Sequence, residues 1–339
     1  MDVNPQALPV RVLPVTSGFT WRDGERVIRF GRGAVADAPG LLAEPYTVLT
    51  TPRAEAAAPG VVAGARRVLH VAPGRVDDLA GALLDDLDDA PLLVALGGGR
   101  VVDTAKALAA ARPPRRVAAI PTTLSAAEMT AGHRRAAGTP QDVPGVRPAL
   151  VLNDPALSAS QPVPEMAASA ANALAHAVEG PVTPRSSPVP ALAAREAVQL
   201  IAGAWGDDDE PDRDALALGA LLSGYVIDST MYGLHHVMSQ TLVRLAGIGH
   251  GPANAAMLPH TSAALRTRSP EPFAALGVDA VELAADLARR ARATSLRELG
   301  VTDDQLDACA DAASQRPELK LTPPPADRDE LRSLYAAAL

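Results

Sequence analysis

The chain has 339 residues, of which 47% are hydrophobic and 21% charged, and its formal net charge at pH 7 is -8. This length suits two globular domains, and the acidic balance excludes nucleic-acid binding as the main activity. A single cysteine, Cys309, excludes an intramolecular disulfide and fits a reducing compartment. Without an apolar run of roughly 20 residues or a basic-then-apolar leader, the sequence predicts a cytoplasmic protein that does not enter a membrane.

Short apolar runs alternate with helical patterns through the first half of the chain. We predict strands over 46–50, 67–71, 92–96, 117–120 and 149–152, with helices between them such as 76–87 and 101–111. This alternation indicates a doubly wound parallel sheet of the Rossmann-like α/β class, with helices on both faces. We assign residues 1–160 to this domain, whose ligands are expected at the carboxyl ends of the strands.

The composition changes after about residue 160, where long segments rich in alanine and leucine dominate. We predict an all-α second domain over 161–339, with turns near 181–190, 206–211 and 247–251 and a last helix over 327–338. The carboxylates of segment 206–212 are predicted to lie in a solvated loop, because neighbouring carboxylates repel each other unless an ion holds them.

Three glycines, Gly97, Gly98 and Gly99, follow the apolar run 91–96 and precede a helical pattern. A strand, a glycine turn and a helix start create a site where backbone N–H groups face a phosphate, since glycine allows the closest approach. The alternative is an ordinary tight turn. Lys106, one of only two lysines in the chain, lies in the same helix and is a candidate for a specific role. The loop 121–125 follows the next predicted strand and is expected to face the same crevice.

Five histidines lie in the helical half of the chain, and four of them are candidates for a site, namely His176, His235, His236 and His250. Asn172 and His176 are four residues apart and therefore share one face of a helix. A buried histidine needs a hydrogen-bond partner, a metal ion or a ligand. Each of these histidines alone is explained by a structural hydrogen bond, whereas three on separate segments of one domain indicate a site.

Several separate motifs occur in one order along the chain, and together they are similar to those of a known superfamily. They are Phe30-Gly31-Arg32-Gly33, Gly97-Gly98-Gly99 with Asp103 and Lys106, Pro121-Thr122-Thr123 with Glu128-Met129-Thr130, Asn153-Asp154-Pro155, Asn172 with His176 and Glu179, Gly233 with His236, and His250-Gly251 with Asn254. The series resembles the iron-containing (group III) alcohol dehydrogenases of the dehydroquinate synthase-like superfamily. The four-residue gap between Thr123 and Glu128, and Asn172 in place of an aspartate, resemble the maleylacetate reductases of that superfamily in particular.

This resemblance implies a dehydroquinate synthase-like fold, an active site in the cleft between the two domains, NADH or NADPH as cofactor, and a homodimer. Carried over to this sequence, the cofactor-binding residues are Gly97, Gly98, Gly99, Asp103, Lys106, Thr122, Thr123 and Ser125. The glycines hold the pyrophosphate, and Asp103 and Lys106 line the nicotinamide side. The positions that match the family's metal ligands are His176, His236, His250 and Asn172.

Three departures from the family bear on cofactor and proton transfer. Asn172 is neutral, which weakens binding of a divalent metal (Fe or Zn), although three histidines and a water are a known zinc arrangement. No acidic residue follows the second predicted strand, which ends near Thr51 and Arg53. A carboxylate there would bind the ribose 2′-hydroxyl and repel a 2′-phosphate, so we assign both residues to the cofactor site and expect NADPH as readily as NADH. Gln240 replaces a histidine that the family is credited with using for proton relay.

We expect an NAD(P)H-dependent reductase or dehydrogenase of a small carbonyl or enol-carboxylate substrate. Hydride passes from the dihydronicotinamide, and the predicted catalytic residues that donate a proton or stabilise the oxyanion are His176, His236, His250 and Lys106. Candidate cations for an acidic substrate are Arg134, Arg135 and Arg244.

Two other functions remain open at this point. One is a non-redox biosynthetic enzyme on the same scaffold, such as a lyase, decarboxylase or cyclase, since a fold does not fix a reaction. It is motivated by the substitutions at Arg100, Ala127, Asn172 and Gln240. The other is a catalytically silent binding subunit, which predicts that His176, His236 and His250 point away from one another.

Overall fold

The computed structural model describes residues 18–140, 143–206 and 210–339. Asp207, Asp208 and Asp209, in the predicted carboxylate loop, lie outside the described residues. One sheet of seven strands has the order β1-β2-β7-β6-β5-β3-β4. Its strands are β1 (Phe19–Asp23), β2 (Arg26–Phe30), β3 (Tyr46–Thr50), β4 (Arg67–His70), β5 (Leu92–Gly97), β6 (Arg116–Pro121) and β7 (Leu150–Asn153).

Every strand pair in this sheet is parallel except the pair formed by β1 and β2, so the prediction of a parallel sheet needs one correction at this edge. The central strand β5 is buried at all its positions, because helices cover both faces of a parallel sheet. Those helices are α1 (Ala38–Leu41), α2 (Pro52–Ala57), α3 (Pro59–Ala63), α4 (Val76–Leu83) and α5 (Gly99–Ala111). Separate apolar clusters on the two faces confirm the doubly wound arrangement.

Helices make up most of the chain after β7. They are α6 (Val163–Glu179), α7 (Pro188–Gly203), α8 (Arg213–Thr230), α9 (Leu234–Leu245), α10 (His250–Arg268), α11 (Pro270–Ala274), α12 (Ala280–Arg290), α13 (Asp303–Ser314) and α14 (Arg328–Ala338). From Met166 to Glu179, α6 is buried at every position but Ser169. Its many alanines have no long side chain to hold neighbouring helices apart, so polar side chains on α6 lie deep inside the molecule.

The five predicted strands are confirmed to within about a residue at each end. The predicted helix 76–87 is shorter, because α4 ends at Leu83 and a 3₁₀ turn follows over Leu84–Asp86. The turn predicted over 247–251 already contains the start of α10, at His250. The domain boundary predicted at residue 160 falls between β7 and α6 and stays a prediction, since one apolar cluster joins the helices to Ile28 and Phe30 of β2.

Among the helices of the described residues, none is by itself long and apolar enough to cross a membrane. The pair α8 and α9 meets that criterion together by length and composition, with a bend of 99° between the two helices.

Candidate active site

The glycine turn after β5 touches the loop that follows β6. A Cβ atom on Gly98 would lie 3.0 Å from Thr123 Cγ2, and one on Gly99 would lie 2.8 Å from the side chain of Ser125. The backbone N–H of Thr122 donates to the carbonyl of Gly97 over 3.1 Å. The structure therefore brings the predicted phosphate turn and the predicted nucleotide loop together, at the start of α5 and at the carboxyl ends of β5 and β6.

Lys106 is fully buried, and its ammonium group is surrounded by oxygen atoms. Its Nζ atom lies 2.9 Å from Asp103 Oδ1, 3.1 Å from the carbonyl of Ala127 and 2.6 Å from the carbonyl of Gly132. An ammonium group has three protons, and these acceptors use all of them. Lys106 thus ties α5 to the segment 127–132 and leaves Asp103, which is 33% exposed, as the group that faces outward.

The residues predicted at the end of β3 differ in what they do. The Thr51 hydroxyl accepts from the backbone N–H of Ala54 and caps α2, so it already has a structural partner. Arg53, in the first turn of α2, is exposed and has no ion-pair partner among the residues that the structure describes. The hydroxyl of Thr51 is therefore engaged, whereas the guanidinium of Arg53 is available to a ligand.

His236, near the start of α9, is held by a buried carboxylate at the end of α6. Its Nδ1 donates to Glu179 Oε2 over 2.6 Å, and the other oxygen of Glu179 accepts the backbone N–H of His235 over 2.7 Å. The ring of His236 stacks on the ring of His176, with 4.8 Å between centroids and 19° between planes. His236 Nε2 and His176 Nδ1 have no hydrogen-bond partner among the described residues. Sequence reasoning placed Glu179 in a motif but missed this contact.

His250 and Asn172 meet at the side-chain amide of Asn254, which is fully buried. Asn254 Nδ2 lies 2.8 Å from Asn172 Oδ1 and 3.2 Å from His250 Nε2. Asn172 Nδ2 in turn lies 3.5 Å from the carbonyl of Ser125, in the loop after β6. The predicted histidine positions therefore lie close together, next to the predicted nucleotide loop, and this group of side chains is called the pocket below.

The histidines of this pocket favour the neutral form. Burial, together with the neighbouring rings, lowers the pKa of His235 and of His236 to about 3. Burial also lowers the pKa of His176 well below its usual value. Burial lowers the pKa of His250, Asp103 opposes that shift, and Arg134 adds to it. Asp103 and Arg134 are therefore close enough to His250 to act on its charge. The pKa of Glu179 is raised by burial, and hydrogen bonds from the backbone oppose that shift.

A cluster of polar side chains lies on the other side of His236. The Tyr232 ring lies 5.5 Å from the His236 ring, and Arg316 Nη2 lies 3.3 Å from the Tyr232 hydroxyl and 3.2 Å from Gln240 Oε1. Glu318 pairs with Arg316 over 2.8 Å. No sequence signal pointed to Arg316, because it lies in the tail far from the motifs. Of the cations predicted from the sequence, Arg135 and Arg244 contact only backbone carbonyls.

The pocket does not fit a metal ion of the kind implied by the resemblance. Among the described residues, no three His, Cys, Asp or Glu side chains are grouped so that they could hold one. The side-chain oxygen of Asn172 and Nε2 of His250 both face the N–H₂ group of Asn254. The stacked rings of His176 and His236 lie face to face rather than edge to edge around a common point.

Glu128 is a second buried carboxyl group, in the segment that Lys106 holds. Its Oε2 has no partner among the described residues, and burial raises its pKa to about 7. It lines a small cavity of about 10 Å³ with Thr122, Asn153 and Asp154. That volume admits about one water molecule.

The chain is similar to several known proteins. The Fe-containing alcohol dehydrogenase family, C-terminal, matches residues 166–339. Maleylacetate reductase 1 of Rhodococcus opacus is 34% identical over an alignment of 266 positions that covers 72% of this chain and 72% of that protein. The crystal structure of maleylacetate reductase from Agrobacterium tumefaciens has a TM-score of 0.81 at 28% identity, covering 96% of this chain and 98% of that one. The maleylacetate reductase structure from Rhizobium sp. strain MTP-10005 gives 0.80 at 27% identity, covering 95% and 98%.

These similarities confirm the resemblance seen in the motifs and the predicted fold class. They also confirm the prediction of an NAD(P)H-dependent oxidoreductase that acts on a small molecule. They give no support to the non-redox alternative.

Proposed function

The chain belongs to the iron-containing alcohol dehydrogenase family, and from this premise we propose that it reduces maleylacetate or a closely related small keto acid with NADPH or NADH. The observation that carries the proposal is the pocket itself. His236, fixed by Glu179, lies against His176, and Asn172 joins the same pocket to the nucleotide loop at Ser125. A proton-transfer group thus lies beside the place where a nicotinamide cofactor is expected.

We propose that the cofactor's pyrophosphate binds at the start of α5. The backbone N–H groups there have no side-chain cap, and they carry the positive end of the helix dipole. Gly97, Gly98 and Gly99 keep this surface free of side chains. The remaining cofactor contacts come from the loop after β6 and from α5, through Thr122, Thr123, Ser125 and Asp103.

Lys106 acts on the cofactor indirectly in this proposal. Its ammonium is saturated inside the protein, so it positions Asp103 and the segment 127–132 rather than touching the nicotinamide or the substrate. The predicted catalytic role of Lys106 is replaced by this positioning role.

We expect NADPH to bind at least as tightly as NADH. The exposed guanidinium of Arg53 is the candidate partner for a 2′-phosphate, and Thr51 contributes by starting the helix on which Arg53 lies. A phosphate dianion gains more from a guanidinium than a hydroxyl does.

The hydrogen bonds of the histidines determine which ring nitrogen of each carries a proton and which carries a lone pair. His250 Nε2 accepts from Asn254, so the ring N–H of neutral His250 is at Nδ1, where it can donate a hydrogen bond to a developing oxyanion. His236 donates from Nδ1 to Glu179, so its Nε2 carries a lone pair. His176 lies against His236 with Nδ1 unpartnered and adds a second polar contact for the substrate.

Reduction then balances as follows. A bound dihydronicotinamide would supply hydride to the electrophilic carbon of the substrate, and the displaced electron pair would move to the substrate oxygen. His236 is neutral at rest, so its Nε2 carries a solvent proton only in passing, as an imidazolium paired with the Glu179 carboxylate, and delivers that proton to the oxygen as negative charge develops there. Because the pocket does not fit a metal ion, no step is assigned to one.

An acidic substrate needs a cation near the histidines. Arg316 is anchored by Tyr232 and Gln240 next to His236, and Arg134 lies close enough to His250 to lower its pKa. We propose these two arginines as carboxylate contacts. Arg316 lies where Gln240 replaces the family's relay histidine. Glu318 engages one side of its guanidinium, and Nη1, which has no partner among the described residues, is the group proposed to bind the substrate carboxylate.

The proposal also covers the domain organisation, the oligomeric state and the cellular location of the enzyme. We infer a division near residue 160 into a nucleotide-binding domain and a helical domain, with the pocket between them, because Ser125 follows β6 while the histidines lie on α6, α9 and α10. We further propose a cytoplasmic homodimer without a nucleic-acid or membrane partner, as the family resemblance implies.

The test is turnover of maleylacetate by the purified protein, followed by loss of the dihydronicotinamide absorbance with NADPH and with NADH. We expect saturable oxidation of the cofactor that depends on maleylacetate. Cofactor binding without turnover would reject maleylacetate as substrate, whereas absence of binding would reject the reductase assignment.

A further inference from the structure

The amide of Asn254 lies between two atoms that carry lone pairs. Its Nδ2 group has two protons, and its two acceptors are Asn172 Oδ1 on α6 and His250 Nε2 on the first turn of α10. Both acceptors occupy positions that match metal ligands in the family. In this chain the group that they face is an N–H₂ donor from the protein itself.

At this point a neutral residue and a neutral donor replace the anionic ligand and the metal cation that the resemblance implies. A neutral amide at Asn172 suits a neutral N–H₂ donor, whereas an anionic ligand is the usual partner of a cation. Asn254 is fully buried, so its N–H groups would be costly to leave without acceptors. Since α6 and α10 pack against each other, the amide also links the two helices that carry His176 and His250.

We propose that the side-chain amide of Asn254 takes the place of a metal ion in this pocket, binding Asn172 and His250 together so that the pocket is assembled without a divalent cation. This inference rests on the proposed function only in taking the pocket to be the active site. The arrangement of the donors is independent of which substrate is reduced.

A single substitution tests the exchange. Asn172→Asp restores an anionic oxygen beside His250 and beside the unpartnered nitrogens of His176 and His236. We expect this variant to bind Zn²⁺ about 100-fold more tightly than the unaltered protein. Groups that only hydrogen-bond to a metal ligand already change metal affinity by up to about 100-fold. Gln161→Glu is the control, since it adds a carboxylate at a buried amide outside the pocket.

The measurement is isothermal titration of chelator-treated protein with Zn²⁺ and with Fe²⁺, and NADPH fluorescence on the same samples. We expect no stoichiometric metal binding by the unaltered protein or by Gln161→Glu, and unchanged NADPH binding with and without chelator. One tightly held Zn²⁺ or Fe²⁺ per unaltered chain would overturn the proposal, as would equal affinities of the unaltered protein and Asn172→Asp. Failure of NADPH to bind would count against the proposed function and not against this inference.

A spectroscopic readout covers the case in which Asn172→Asp does not fold. In unaltered protein with ¹⁵N-labelled histidine at pH 8, His250 should be the Nδ1–H tautomer, because Nε2 accepts from Asn254. In Asn254→Leu the ¹⁵N resonance of His250 Nε2 should shift, because this nitrogen no longer accepts a hydrogen bond from residue 254. The Nε2–H tautomer in the unaltered protein would contradict the proposal.

Discussion

At the scale of single residues, the chemistry of the pocket depends on the carboxylate of Glu179. It is fully buried, and both of its oxygens accept hydrogen bonds from the start of α9. One of these bonds orients the His236 ring and sets its tautomer, so that Nε2 is the atom presented to a substrate. The same negative charge stabilises the imidazolium that forms during proton transfer.

Replacing Glu179 with glutamine should therefore impair catalysis more than binding. In Glu179→Gln we expect kcat to fall by about 100-fold, within the usual range for general acid–base catalysis, while the Kd of NADPH stays the same. Steady-state kinetics and NADPH fluorescence measure the two quantities. Glu330→Gln, which removes an ion pair with Arg268 outside the pocket, is the control. An equal loss of binding and turnover would show that Glu179 only supports the fold.

Lys106 allows an unusually clean stability experiment, because the chain has one other lysine, the exposed Lys320. Lys106→Met leaves the half-buried Asp103 carboxylate and the carbonyls of Ala127 and Gly132 without their donor, and we expect a loss of about 3 kcal/mol in the free energy of unfolding. Lys320→Met should change little. Urea unfolding of both variants is the measurement, and equal midpoints would contradict the assigned role.

At the scale of elements, the cofactor site depends on how closely two loops approach. Gly98 and Gly99 touch Thr123 and Ser125, so glycine is required here for contact within the protein as well as for contact with a phosphate. The sequence supported the second reason only, because the first depends on the spacing of β5 and β6 in the folded sheet.

Gly99→Ala tests this close approach. The new Cβ would lie 2.8 Å from Ser125 and push the loop after β6 away. We expect NADPH affinity to fall by about tenfold, which corresponds to the modest cost of overpacking. The control is Gly60→Ala in α3, where a Cβ meets nothing within 4 Å. Unchanged NADPH affinity in Gly99→Ala would place the cofactor elsewhere.

Local pattern predicted the buried strands well and the edge strands poorly. The run 92–96 is wholly apolar because β5 is covered on both faces. Strands β1 and β2 were missed because charged residues such as Arg22 and Arg29 interrupt their apolar positions. The pocket was predicted only in part for a similar reason. Its histidines belong to recognisable motifs, whereas their partnership with Glu179 and Asn254 is set by how α6, α9 and α10 pack.

At the scale of the whole molecule, one buried acid makes stability depend on pH. The pKa of Glu128 rises from 4.5 to about 7 on burial. Between these values the unfolded chain has lost the proton that folded Glu128 keeps, so the contribution of Glu128 to stability falls as pH rises from 4.5 to about 7 and then levels off, whereas the buried histidines contribute in the opposite direction. The integrated loss is about 3 kcal/mol.

In Glu128→Gln this pH-dependent loss should be absent. Urea unfolding of both proteins at several pH values between 4.5 and 8 measures the difference. Above pH 7 the variant should be the more stable of the two, and near pH 4.5 the two should be similar. A constant difference across that range would mean that Glu128 ionises normally in the folded protein.

One measurement tests most directly the central claim that this pocket serves a nicotinamide cofactor. Chelator-treated protein is titrated with NADPH and then with NADH, and the nicotinamide fluorescence is followed, with and without added Zn²⁺. We expect saturable binding of one cofactor per chain that Zn²⁺ does not change, with NADPH at least as tight as NADH. No binding of either cofactor under any of these conditions would contradict the assignment of the pocket to hydride transfer.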